Sequence, residues 1–152
     1  MKKIEKIEVK KIPDYDSDLS YLGEFSNTPG EFAIKHEGRP DEYAFFNAAN
    51  VENMEQARQN YKRMIKYTNG ELMDYGVMAE ATILTGNGSY WKSDEITSGG
   101  LWGMSSDSGD EYFQEEAGNQ LAELSETLKE FDFSDKEIKG AVKNAVIFNE
   151  KL

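Results

Sequence analysis

An α+β fold, with an antiparallel or mixed sheet of about five strands packed with three helices, is what the order of patterns along this chain predicts. Strand-like alternation crowds the first two thirds, helical periodicity closes the chain, and no regular strand-helix alternation intervenes to demand parallel crossovers. With 152 residues, 38% hydrophobic and 12% aromatic, the chain has the bulk to bury a core without staples, so a single domain over 1–152 is expected.

The elements follow in order. Residues 4–12 alternate imperfectly, set Ile4, Ile7 and Val9 among lysines and stop at Pro13, as a strand does whose lysines guard an edge. Residues 14–30, rich in Asp, Ser, Asn and Gly, read as a long connection. Residues 31–36 and 42–47 are two short strands joined by Glu37-Gly38-Arg39-Pro40-Asp41, a hairpin connection. Asn50 is placed to cap a helix carrying Val51, Met54, Ala57, Tyr61, Met64, Ile65 and Thr68, and Asn69-Gly70 to stop it. Residues 74–85 alternate Tyr75, Val77, Ala79, Ala81 and Ile83 against Met78, Glu80, Thr82 and Leu84, the pattern of a central strand. Gly86-Asn87-Gly88 turns the chain, and residues 89–105 form a strand pair or one strand broken at Gly99-Gly100. Ser108 and Glu111 make a capping box ahead of a stripe of Phe113, Ala117, Leu121, Leu124, Leu128 and Phe131. Ser134 and Glu137 repeat the signal before Ile138, Ala141, Val142, Ala145, Val146 and Phe148, a last helix weakened by Gly140.

Charge is the most informative property beyond the fold. Five lysines and two glutamates give residues 1–13 a local +3, so the remainder of this −12 chain carries −15. Between 94 and 135 twelve acidic residues face one basic residue, Lys129, and most of them fall on the helix that follows Ser108. Such a field repels nucleic acid and anionic membrane and draws in basic partners. Direct nucleic-acid binding and membrane association are therefore not expected. Carboxylates three or four residues apart on a helix stand about 5–6 Å from one another, near the spacing of phosphates along a strand. The bland alternative is a solvated face that keeps the protein soluble, but without lysines at i+4 these charges repel and weaken the helix.

Other chemistries find little support. There is no cysteine, which removes disulfides and thiolate metal sites, and His36 alone leaves any metal or catalytic triad short of ligands; it reads as a strand residue. Asp14, Asp16 and Asp18 have the spacing of the first ligands of a calcium loop, but Leu19 stands where glycine is required and Phe25 where the bidentate glutamate belongs. Neither Gly86-Asn87-Gly88 nor the run from Ser98 to Gly103 completes a phosphate-binding loop. Nothing selects a carboxylate pair for glycoside hydrolysis. No enzyme, cofactor or metal is expected. Residues 1–11 lead into no apolar h-region and no run approaches the roughly 18 apolar residues of a membrane helix, so a cytoplasmic protein is anticipated.

The run from Glu80-Ala81 through Ile96-Thr97-Ser98-Gly99-Gly100-Leu101-Trp102-Gly103, with Ser106-Asp107-Ser108 and the acidic helix, resembles small acidic proteins encoded by phages and mobile elements, over about a third of the chain. More broadly, small size, acidity and the lack of catalytic motifs are similar to phage inhibitors of host defence, including anti-CRISPR and anti-restriction DNA mimics. That likeness implies an inhibitor, acting in the host cytoplasm, that occupies the basic groove of a defence nuclease. The helix residues Asp110, Glu111, Glu115, Glu116, Glu123, Glu126 and Glu130 would replace phosphates, Asp94, Glu95, Asp107, Asp14, Asp16 and Asp18 would add to them, and Trp102 would anchor. The alternative is a non-catalytic interaction or homo-oligomeric accessory protein that uses Leu101 and Trp102 as an apolar contact.

Overall fold

The computed structural model describes residues 1–36 and 43–148, which form an α+β fold. In chain order the elements are β1 (Lys2–Pro13), β2 (Gly23–Ser26), β3 (Ala33–Lys35), β4 (Phe45–Ala48), α1 (Met54–Thr68), β5 (Asp74–Gly86), β6 (Trp91–Thr97), β7 (Leu101–Ser105), α2 (Asp110–Glu130), α3 (Asp135–Lys143) and β8 (Val146–Ile147). The chain, read from its length as one domain, divides into two compact units, Met1–Tyr15 with Asp74–Leu152, and Asp16–Met73.

The first unit holds a mixed five-stranded sheet ordered β6-β5-β1-β8, with β7 also on β5. β5 is central, as its alternation predicts. Its Val77, Ala79, Ala81 and Ile83 join Ile7 and Val9 of β1 in a core closed by Phe113, Ala117, Leu121, Leu124 and Leu128 of α2. The buried positions of α2 recur at three and four residues because only one stripe of a helix can meet a flat sheet. β6 and β7 lie end to end along one edge of β5, β6 opposite residues 80–86 and β7 opposite 74–77. The broken strand is thus the form the 89–105 segment takes.

Several expectations are corrected here. Phe131 is 49% exposed, and Phe133, beyond the end of α2, enters the core instead. The capping box at Ser108 does not form: the Ser108 hydroxyl donates to the Ser105 carbonyl at 2.6 Å, and α2 starts after Gly109 with Asp110 and Glu111 in its first turn to complement the helix dipole. The Ser134 cap does form, accepting from the Glu137 N–H at 3.1 Å. The last helix is shorter than its apolar pattern suggests. It ends at Lys143, and Val146–Ile147 leave it to pair in parallel with Glu8 and Val9, so β1 is covered there rather than an open edge. An apolar β-branched pair satisfies either element, and the unpaired backbone of β1 decides in favour of strand.

The second unit is a small antiparallel sheet ordered β2-β4-β3 with α1 packed on it around Leu22, Phe46 and Met64. β2 lies inside the segment read as a connection. Its first residue, Gly23, has φ +146 and passes so close to β4 that a Cβ would stand 2.4 Å from the Asn47 carbonyl oxygen, a contact only glycine permits. The α1 cap is Asn53, whose side chain accepts from the Gln56 N–H at 2.9 Å; Asn50 instead adopts φ 57 and donates to the Tyr21 carbonyl. The 37–41 connection and Glu42 lie outside the described residues. Among those described, no helix is long and apolar enough to cross a membrane.

Candidate partner-binding surface

α2 separates its carboxylates into two tracks. Glu116, Glu123 and Glu130 recur every seventh residue, about 10.5 Å apart along the axis; Glu116 and Glu123 lie on the flank that carries the Gln120 and Gly99 bonds, and Glu130, in the last turn, is exposed. Glu111, Glu115 and Glu126 lie further round, on the side away from the sheet. The sole cation of α2, Lys129, pairs with Glu126 at 3.2 Å and approaches Asp135 at 3.9 Å.

The inner track is partly engaged by the fold. Where β6 gives way to β7, Ser98 stands in for a regular ladder residue: its N–H donates to the Ala79 carbonyl, and its hydroxyl oxygen accepts from the Ala79 N–H at 2.9 Å. That hydroxyl in turn donates to Gln120 Oε1 at 2.6 Å, which also accepts from the Gly100 N–H at 3.0 Å. Gln120 Nε2 donates to Glu116 Oε1 at 2.9 Å, and Glu123 Oε1 accepts from the Gly99 N–H at 2.8 Å. Two backbone amides left without ladder partners by the break are therefore closed by side chains of α2: Gln120 and Glu123 hold the helix to the sheet, and Glu116 steadies the Gln120 amide from within the helix. Neither Ser98 nor Gln120 is singled out by sequence reasoning. The available signal was a polar residue, Gln120, within the apolar stripe between Ala117 and Leu121.

Gln120 is only 4% exposed, so removing its acceptor has a measurable cost. Gln120→Leu leaves the Ser98 hydroxyl and the Gly100 N–H without an acceptor and should destabilise the first unit by about 2 kcal/mol in urea unfolding. A change below about 0.5 kcal/mol would show that the network contributes nothing net.

The remaining predicted residues scatter. Asp94 lies opposite Ile83 and Glu95 opposite Thr82, so by strand alternation Asp94 shares the face of α2 while Glu95 projects from the other. Asp107 accepts from the Ser105 hydroxyl at 2.7 Å in the turn before α2. Asp14 Oδ2 accepts from the Gly103 N–H at 3.0 Å, fastening the end of β1 to β7. Asp16 and Asp18 belong to the second unit. The Ser20 N–H donates to Asp18 Oδ1 at 2.9 Å, and this bond holds the Asp18 carboxyl below its ordinary range. Its contribution to stability is present above the unfolded-state value and is lost as pH falls through the folded one.

Leu101 and Trp102 cannot form one contact. Leu101 lies opposite Val77 and so takes the α2 side, whereas the Trp102 ring lies against Gly76 on the other face. A Cβ at Gly76 would stand 2.1 Å from that ring, so glycine on β5 is what seats the indole. Trp102 remains 46% exposed.

The lysines of β1 are occupied. Lys2 donates to the Phe131 carbonyl at the end of α2, where a cation suits the helix dipole, and lies 4.9 Å from the Phe133 ring centre. Lys3 sits over Trp91, and Lys11 over Tyr75 and Phe113. Lys10 pairs with Glu80 and Lys6 with Glu8, each at 3.0 Å, and the Glu8 hydrogen bond raises the Lys6 pKa. His36 Nδ1 lies 2.8 Å from the Tyr61 hydroxyl, and its ring packs on Phe25. Among the described residues no three histidine or carboxylate side chains gather as a metal would require. No protein-family model, curated protein or solved structure matches the chain.

Proposed function

We propose that this chain is a non-catalytic inhibitor, encoded by a phage or mobile element, of a host defence nuclease, and that it occupies the nuclease's basic nucleic-acid groove with the outward side of α2. The observation that carries the reading is the segregation of charge. Glu111, Glu115, Glu126 and Glu130 are exposed on a helix with one cation, while the lysines of β1 are held to rings, a carbonyl and carboxylates of their own unit. An acidic surface compensated locally only at Glu126, by Lys129, steers toward a basic groove, with an affinity that falls as salt screens it.

The test is a pull-down from host lysate with salt-graded elution, repeated with Glu111, Glu115, Glu126 and Glu130 all changed to lysine. Glu116 and Glu123 are kept, because reversing them would disturb the Ser98–Gly100 network along with the surface. Capture of a nuclease that weakens about a hundredfold in the quadruple variant at low salt is the expected outcome. Inhibition unchanged by the four reversals would defeat the mimicry.

A second reading, an interaction module anchored by an apolar side chain, is favoured by the half-exposed indole of Trp102. It predicts that Trp102→Ala abolishes association and that salt barely alters it. Leu101, on the opposite face, would take no part.

A further inference from the structure

We infer that the outer edge of β6 is a strand-addition site for an extended, lysine- or arginine-rich segment of the partner. This rests on the acidic-surface reading and names how the partner is gripped. β6 pairs with β5 along one edge, and no described residue pairs with the other. The hydrogen bonds between Ser98 and Ala79 set the phase of the ladder: Asp94 and Ile96 turn their backbone groups toward β5, and Ser93, Glu95 and Thr97 turn theirs outward. Lys92, Ser93, Asp94, Glu95 and Thr97 are all exposed.

The other end of the sheet is treated differently. There the Glu137 carboxylate accepts from the Ile4 N–H at 3.1 Å, Glu8 and Val9 pair with β8, and the Phe148 N–H donates to the Val9 carbonyl. One edge is closed by the fold while the other keeps its donors and acceptors available, which is what an added strand requires.

Charge identifies the occupant. Side chains of an added strand alternate between the two faces, and carboxylates wait on both: Asp94 on the α2 side, with Glu123 at the end of β6, and Glu95 on the other. A basic segment is matched where its cations fall beside Asp94, Glu95 and Glu123, and Lys92, on the Asp94 face, repels a cation set opposite it. A second copy of this chain is disfavoured by the mutual repulsion of two chains of −12, and antiparallel self-pairing centred on Asp94 also sets that carboxylate against itself.

The experiment titrates the full chain with a synthetic nine-residue peptide alternating lysine and valine, and with the same peptide N-methylated at alternate amides, which keeps the charge and removes the backbone donors of one edge. The unmethylated peptide should protect the amides of Ser93, Glu95 and Thr97 from hydrogen exchange and bind at least about tenfold more tightly than its methylated form. Ser93→Pro, which removes an outward N–H without altering charge while leaving the β5 ladder intact, should weaken the peptide with its thermal transition retained. The peptide comparison on the unaltered chain decides the matter if that variant fails to fold. Equal, salt-sensitive binding of both peptides without protection overturns strand addition and leaves the acidic-surface reading standing. No binding of either peptide at low salt also overturns strand addition, whereas the acidic-surface reading falls only with the quadruple charge reversal. Protection of the same amides by self-association, without peptide, assigns the edge to a second copy and overturns the proposal.

Discussion

Phe46→Ala is expected to cost the second unit about 3–5 kcal/mol. Phe46 is fully buried at the centre of β4, opposite Phe25 on one side and Ile34 on the other, with its ring centre 5.3 Å from Phe25 and 5.5 Å from Tyr61. Among the described residues, its fully or nearly buried companions in that cluster are Leu22 and Met64. A unit of residues 16–73 has a stability of about 3–9 kcal/mol on the usual per-residue scale, so the loss is of the same size as the whole. Accelerated amide exchange throughout α1 and β2 to β4, read by mass spectrometry, is the expected signature. Protection reduced by less than about 1 kcal/mol would mean that Tyr61 and Phe25 collapse into the space.

In the first unit the counterpart is Leu124→Ala, expected to cost about 2–5 kcal/mol in urea unfolding. Leu124 is fully buried in the α2 stripe and belongs to the cluster that includes Val77, Ala79 and Ala81. The small side chains of Ala79 and Ala81 leave little with which to fill the gap. Since α2 positions the carboxylates, binding of the proposed basic partner should weaken although no charge is altered. Glu115→Gln, on the exposed side of the same helix, should leave stability within about 0.5 kcal/mol. A Leu124→Ala protein as stable as its parent would show that the helix is held by the Gln120 and Glu123 hydrogen bonds and not by packing. The two core clusters share no residue, so each substitution reports on its own unit.

How much was legible follows from how local each signal is. The long strand β5, the stripe of α2 and the Ser134 cap each depend on residues within a turn or two of one another, and periodicity finds them. β2 and β8 were not legible, because a four-residue and a two-residue strand exist only through partners 19 or more residues away. The cap of α1 moved from Asn50 to Asn53 for a related reason: both asparagines suit a cap, and the tie of Asn50 to Tyr21 is a contact across the fold.

The candidate surface divides in the same way. Composition and helical spacing alone determine that this protein is acidic, that its carboxylates gather on one helix, and that the helix keeps an apolar stripe for the sheet. Those properties depend on residue type and on the 3.6-residue period, which no later packing changes. Only the tertiary structure decides which carboxylates remain available. Glu123 is drawn into the break between β6 and β7, Glu116 is taken up by Gln120 on its own helix, Asp94 and Glu95 are parted to opposite faces, and Leu101 is separated from Trp102. The physical reason is register: the pairing of β5 with its neighbours sets which amides lack partners and which way each side chain turns, and one strand read alone carries no record of it.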